Sequence, residues 1–221
     1  MPRAFLKARE PFSCYSHFVG AVLSAVGLFA LLVRLLVQPD ISGQLAGAAV
    51  VFCLSLIALY SASSAYHFSG RGEAVVRRLK KLDHSMIYVL IAGTYTPVCL
   101  SVLGGALGWS LFGVIWGLAV VGVIVTLCWL DAPRILTTMF YVGMGWIAVL
   151  VLQPLAAALS ASAFFWMIAG GVAYTVGGVM YALKWPLKHH ARFGCHEVFH
   201  LFVLLGRACF VLMMGAVCMG I

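Results

Sequence analysis

Apolar and polar stretches alternate along this chain with a long period. Seven apolar runs stand out, at about 17–37, 44–68, 83–103, 108–130, 135–157, 161–183 and 196–220. Each is long enough to cross ~30 Å of hydrocarbon as an α-helix, which satisfies its own backbone polar groups where no water is present. Helix breakers punctuate the joints: Pro39, the Gly104-Gly105 pair, Pro133, Pro154 and Pro186. Pro97, in Gly93-Thr94-Tyr95-Thr96-Pro97, falls inside the third run and predicts a kink, with threonine hydroxyls meeting the freed carbonyls. Ala169, Ala173 and Gly177 recur every fourth residue in the sixth run, a stripe suited to close helix packing.

Composition supports a membrane class. Apolar residues make up 64% of the chain and charged residues 9%, against about 25% charged in soluble domains. The 221 residues hold seven spans and little else. The expected fold is therefore an all-α integral membrane protein: a tail at 1–16, then one seven-helix domain at 17–221. The run after the tail exceeds a signal-peptide core and lacks a small-x-small cleavage site, so it is expected to stay as the first helix. The seven cysteines are scattered without a C-x-x-C pair and read as apolar fillers rather than a disulfide framework.

Charge adds orientation. Arg3, Lys7 and Arg9 lie in the tail, Arg71, Arg77, Arg78, Lys80 and Lys81 in the second loop, Arg134 in the fourth, and Lys184, Lys188 and Arg192 in the sixth. The odd loops carry none, so 12 of the 14 basic residues fall on one side. The positive-inside rule makes that side cytoplasmic, with the N-terminus inside and the C-terminus outside. The net charge of +8 then reflects topology and contact with anionic lipid, and calls for no nucleic acid. Within the second loop, Val75, Val76, Leu79 and Leu82 follow helical spacing. They suit either a short amphipathic helix on the inner leaflet or a plain basic loop.

That topology brings three polar helix ends to one membrane level. Run two ends in Ser63 and His67, run three begins with Asp83-His84, and run seven begins with His196 and His200. Polar side chains inside a span cost free energy unless partnered. His196 and His200, four apart, share one helical face. With His67 they would form a three-His site with an open fourth position, a coordination that suits catalytic zinc. Zinc lowers the pKa of water at such a position to about 7. Asp83 is then a candidate base or water-orienting group, and Ser63 a second candidate for that role or a hydrogen-bond donor to a carbonyl oxygen. The plainer reading keeps these as interfacial residues, with Asp83 favoured at a helix start by the macrodipole.

His196-Glu197-Val198-Phe199-His200 also matches H-E-x-x-H, with Glu197 as base. The 21 residues after His200 contain no Asp, Glu or His, and position 206 is Gly where the extended motif needs His. That weighs against a metalloprotease. Arg207, seven residues after His200 and ~10 Å deeper at about 1.5 Å per residue, needs an anionic or carbonyl partner. It is a candidate contact for a polar group of a lipid-like ligand, or a structural pair with backbone carbonyls. Arg34 is expected to snorkel to the outer interface. His17 is expected as an interfacial anchor or a supporting partner of the site, and His189-His190 as solvated.

The same residues carry a family resemblance. Ser63-x-x-x-His67, Leu82-Asp83-His84 followed by Ile91-Ala92-Gly93-Thr94-Tyr95-Thr96-Pro97, and His196-x-x-x-His200 resemble the hemolysin III family, with Glu10 and Ser16-His17 matching its N-terminal motif. This family is the bacterial branch of the progestin and adiponectin receptor-like membrane proteins. The resemblance spans essentially the whole chain. It implies seven helices, a cytoplasmic N-terminus, and zinc near the inner face held by His67, His196 and His200. It further implies that Asp83 contacts zinc through water, with Ser63 beside it. Eukaryotic relatives are similar to ceramidases; bacterial ones are linked to cytolysis and membrane-lipid homeostasis. Some bacterial members place a further His where this chain has Phe210. Glu197 is not part of the family pattern.

The leading expectation is a zinc-dependent hydrolase of a lipid amide or ester, with membrane lipids as partners and an acyl-chain lipid as substrate. The alternatives are a non-enzymatic protein stapled by zinc that senses or regulates membrane lipid state, and a cytolysin. The spans are too apolar, and too poor in charge rings, to line a wide pore.

Overall fold

A computed structural model of the chain describes residues 8–37, 41–185 and 194–219. Arg3, Lys7, Pro39, Pro186, Lys188, His189, His190 and Arg192 lie outside the described residues. Every regular element among the described residues is helical. Seven helices are long and apolar enough to cross a membrane: Pro11–Val37, Gly43–Phe68, Glu73–Leu103, Gly105–Cys128, Arg134–Ala158, Ala161–Leu183 and Cys195–Met219. Their outer faces are apolar, with Leu36 85% and Leu150 83% exposed. That is the inverse of a soluble surface and is what hydrocarbon demands. All seven cysteines are free.

Three elements differ from the pattern reading. The first helix starts at Pro11, six residues before the expected start at 17. Proline tolerates the first helical position because its missing N–H would be unsatisfied there anyway. His17 is consequently a buried residue of the second turn, 4% exposed, with its ring edge-on to Tyr60 at 5.1 Å. It is not an interfacial anchor. The basic segment 74–82 is neither a loop nor a separate helix on the membrane surface. It forms the opening turns of one helix, Glu73–Pro97, because no Gly or Pro between Ala74 and Asp83 interrupts it.

The third difference is in the fifth span, which runs as an α-helix over Arg134–Trp146, a 3₁₀ segment over Ile147–Val151 and a second α-helix over Leu152–Ala158. Pro154 was expected at a joint. It sits in the first turn of that second helix, where its ring and missing donor do little harm. The break is held by Tyr95, whose hydroxyl donates toward the carbonyls of Gly145 (2.7 Å) and Met144 (3.0 Å) and accepts from the N–H of Ala148 (2.9 Å). Pro97 does perturb the third span: a π-helical turn over Val98–Leu103 follows it. The chain then leaves through Gly104 (φ 58°) and Gly105 (φ 52°), left-handed conformations that favour glycine.

The chain forms two compact units, one from Met1–Gly93 with Trp116–Leu130, the other from Thr94–Ile115 with Asp131–Ile221. In the first, the Pro11–Val37 helix packs along Gly43–Phe68. Gly20 makes room for the ring of Tyr60 and Gly122 for the fully buried ring of Tyr88. In the second, Ala161–Leu183 packs along Cys195–Met219. Each helix puts a glycine opposite an aromatic ring of the other: Gly170 faces Phe210, Gly177 faces Phe202, and Gly206 faces Tyr174. A Cβ at Gly177 would lie 2.5 Å from Cβ of Phe202, so only glycine permits this approach. The buried stripe runs through Met167, Gly170, Ala173 and Gly177, one position off the expected start at Ala169.

Candidate functional site

In the first unit, the end of the second span and the start of the third bring together Ser63, His67 and Asp83. All are buried: His67 is 0%, Ser63 1% and Asp83 7% exposed. Ser63 and His67 lie one turn apart on the inward face of their helix. Ser63 is a hydrogen-bond partner of the Asp83 carboxyl, and His67 and Glu10 act on it electrostatically. Asp83 sits more than two turns into its helix, not at its first turn, so the helix-start macrodipole does not account for it.

His67 is oriented by a residue that the sequence pattern did not single out as functional. Its Nδ1 lies 2.6 Å from Oε2 of Glu10. A carboxylate only accepts, so Nδ1 carries the proton and the lone pair of the neutral ring is on Nε2. Glu10 immediately precedes the first helix and is separated from His67 by 57 residues. No local spacing could have paired them.

In the second unit, the Cys195–Met219 helix carries the other two imidazoles. His200 is buried (3% exposed) and His196 half-buried, and their Nε2 atoms are 3.1 Å apart. Two ligands on a tetrahedral zinc with ~2.0–2.1 Å bonds have nitrogens about 3.3–3.4 Å apart. The pair is thus close to the spacing a shared zinc requires, and the two rings converge on one point by their ε nitrogens. The ring of Tyr181, 5.8 Å from that of His196, stacks on Phe199 at 4.7 Å. Arg134 lies over the other side of this cluster, 4.4 Å from the Tyr181 ring centroid, and donates to the Tyr181 carbonyl at 3.2 Å. Tyr181 and Arg134 belong to other helices and carried no motif.

Glu197 has a structural task. Its Oε2 accepts the N–H of Gly194 at 2.8 Å, the reach-back of an acidic third residue to the residue that caps a helix. Arg207 is 5% exposed and donates to Oγ1 of Thr94 at 2.7 Å, with its guanidinium 4.9 Å from the Tyr174 ring centroid. These two partners are a hydroxyl and an aromatic face. The Thr94 hydroxyl oxygen is the acceptor of this bond. Phe210, where some relatives carry His, fills the space at Gly170 and stacks on Tyr174 at 5.8 Å.

Comparison with known proteins gives consistent matches over most of the chain. A family model described as "Haemolysin-III related" matches residues 5–211. A protein named Hemolysin-3 from Bacillus cereus is 36% identical over 194 residues, covering 87% of this chain and 84% of the relative. A Hemolysin-3 homolog from Bacillus subtilis (strain 168) is 38% identical over 158 residues, covering 72% and 71%.

Proposed function

The chain belongs to the haemolysin-III-related family of integral membrane proteins, and on that premise we propose that it is a zinc-dependent hydrolase of a lipid amide or ester. In this reading, as the family resemblance implies, His67, His196 and His200 would be the zinc ligands. The protein sits in a bacterial cytoplasmic membrane with its N-terminus inside, so that the second, third and seventh spans present these ends at the inner face. The observation that carries the reading is the 3.1 Å approach of the two ε nitrogens of His196 and His200. It is supported by the tautomer of His67, which leaves Nε2 as its ligating atom.

Zinc held by three imidazoles supplies a Lewis acid and brings a water molecule within reach of deprotonation near neutral pH. Asp83, hydrogen-bonded to Ser63, would accept the proton of such a water and pass it to the leaving amine or alcohol. The buried, apolar helix faces around them exclude bulk water, which strengthens each polar contact. Headgroup chemistry is delivered at the metal and the acyl chain lies along apolar helix faces, as an amphipathic lipid would.

Metal content of the detergent-solubilised protein tests the site, with His67→Ala and His200→Ala beside it. The expected result is about one zinc per chain in the wild type and loss in both variants. A screen of lipid amides and esters then tests turnover. Asp83→Ala is expected to keep the metal and to lose at least ~10²-fold in rate. A folded wild type that takes up no zinc refutes the site. A zinc-loaded protein with no turnover on any lipid amide or ester refutes the hydrolase and leaves zinc as a staple between helices.

A further inference from the structure

We infer that Glu10 is the positioning residue of the metal site, acting through His67; the inference rests on the zinc reading above. Three observations converge on it. The first is the contact itself. The Oε2–Nδ1 distance of 2.6 Å is that of a short, charge-assisted hydrogen bond, and its imidazole end is fully buried. A metal-binding histidine that gives its second N–H to a carboxylate is held in one tautomer and one ring orientation, and its ligating nitrogen becomes more basic.

The second observation is how the carboxylate is held. The last carbonyls of a helix have no partner within it. Those of His67 and Phe68 accept the backbone N–H groups of Glu10 (3.1 Å) and Arg9 (3.5 Å). The backbone of Glu10 is therefore tied to the backbone of His67 itself. Glu10 also starts the first helix: its carbonyl accepts the N–H of Cys14 at 3.0 Å, and Pro11 follows.

The third observation is the division of labour between the two carboxylate oxygens. Oε2 meets His67, while Oε1 accepts from Nε of Arg9 at 3.2 Å. Arg9 is itself braced over the Tyr66 ring, 4.5 Å from its centroid. An exposed ion pair such as Arg9–Glu10 contributes little stability by itself. Its effect here is orientation: it turns one oxygen outward and leaves the other aimed at the imidazole. Arg9 and Glu10 thus form part of the surroundings of His67.

The test measures zinc affinity by chelator competition, and the visible spectrum of the cobalt-substituted protein, for the full-length chain in detergent. Glu10→Ala is expected to weaken zinc binding by about 10–100-fold and to shift the cobalt bands. Glu10→Gln, whose amide oxygen still accepts Nδ1–H, is expected to recover part of the affinity and guards against misfolding of the alanine variant. In the His67→Ala protein, which has already lost the metal, Glu10→Ala is expected to leave the thermal unfolding midpoint unchanged, because its contact with the imidazole is gone. Wild-type affinity and an unshifted cobalt spectrum in both Glu10 variants overturn the inference. So does an equal drop in unfolding midpoint in the presence and absence of His67, which marks a purely structural role. A wild type that binds neither metal removes the zinc reading itself, an outcome distinct from either.

Discussion

The buried pair Thr94–Arg207 offers a quantitative test of how this bundle treats a charge. Arg207 is 5% and Thr94 7% exposed, and the donor–acceptor distance is 2.7 Å. Hydrogen bonds between neutral groups across membrane helices contribute about 0.6 kcal/mol on average. A charged donor contributes about 1.5–3 kcal/mol, and an ionised side chain within a span stays costly until something meets it. Thr94→Val keeps the shape and removes the acceptor. Arg207→Met keeps most of the stem and removes the charge along with its contact to the Tyr174 ring. Each single change is expected to cost ~2 kcal/mol. The double variant should cost little more than the worse single one, because the valine no longer faces a charge. The cycle then gives a coupling of about 1.5–2 kcal/mol, with the Tyr174 contact cancelling. Reversible unfolding in mixed detergent micelles, followed by far-UV circular dichroism, measures all four proteins. A coupling below ~0.5 kcal/mol would refute the reasoning and show that Arg207 is solvated by other groups.

Two further outcomes follow from the geometry. Tyr95→Phe deletes the hydroxyl that serves the break in the fifth span. It should destabilise the protein by about 1–3 kcal/mol and accelerate amide exchange at Ala148, read by hydrogen–deuterium mass spectrometry; unchanged exchange there would mean the break supports itself. Glu197→Gln is expected to keep zinc and any lipid hydrolysis within ~3-fold, and Glu197→Ala to cost roughly 0.5–2 kcal/mol as a lost cap. A zinc-loaded Glu197→Gln protein with hydrolysis abolished would restore Glu197 as a general base.

Much of this architecture was legible from one dimension. Seven spans follow from hydropathy, because a helix in hydrocarbon must be both long and apolar whatever its neighbours are. The pairing of His196 with His200 and of Ser63 with His67 follows from helical period alone. Even the demotion of Glu197 had a local signal, since a carboxylate in the first turn of a helix reaches back to its own start.

Tertiary structure decided what no period encodes. The merger of the basic segment 74–82 into the third span shows that charge marks a loop only where something also breaks the helix. The buried stripe of the sixth span keeps Ala173 and Gly177 but takes Gly170 in place of Ala169, because the aromatic rings of the seventh choose which glycines matter. Arg207 meets Thr94 from another helix, and Tyr95 holds the break in the fifth span from the third. Glu10 reaches His67 across 57 residues of chain. Local sequence dictates which face of a helix is polar, since that depends on spacing along one backbone. Which partner meets that face depends on how separate helices pack, and packing is chosen by shape and distance in three dimensions.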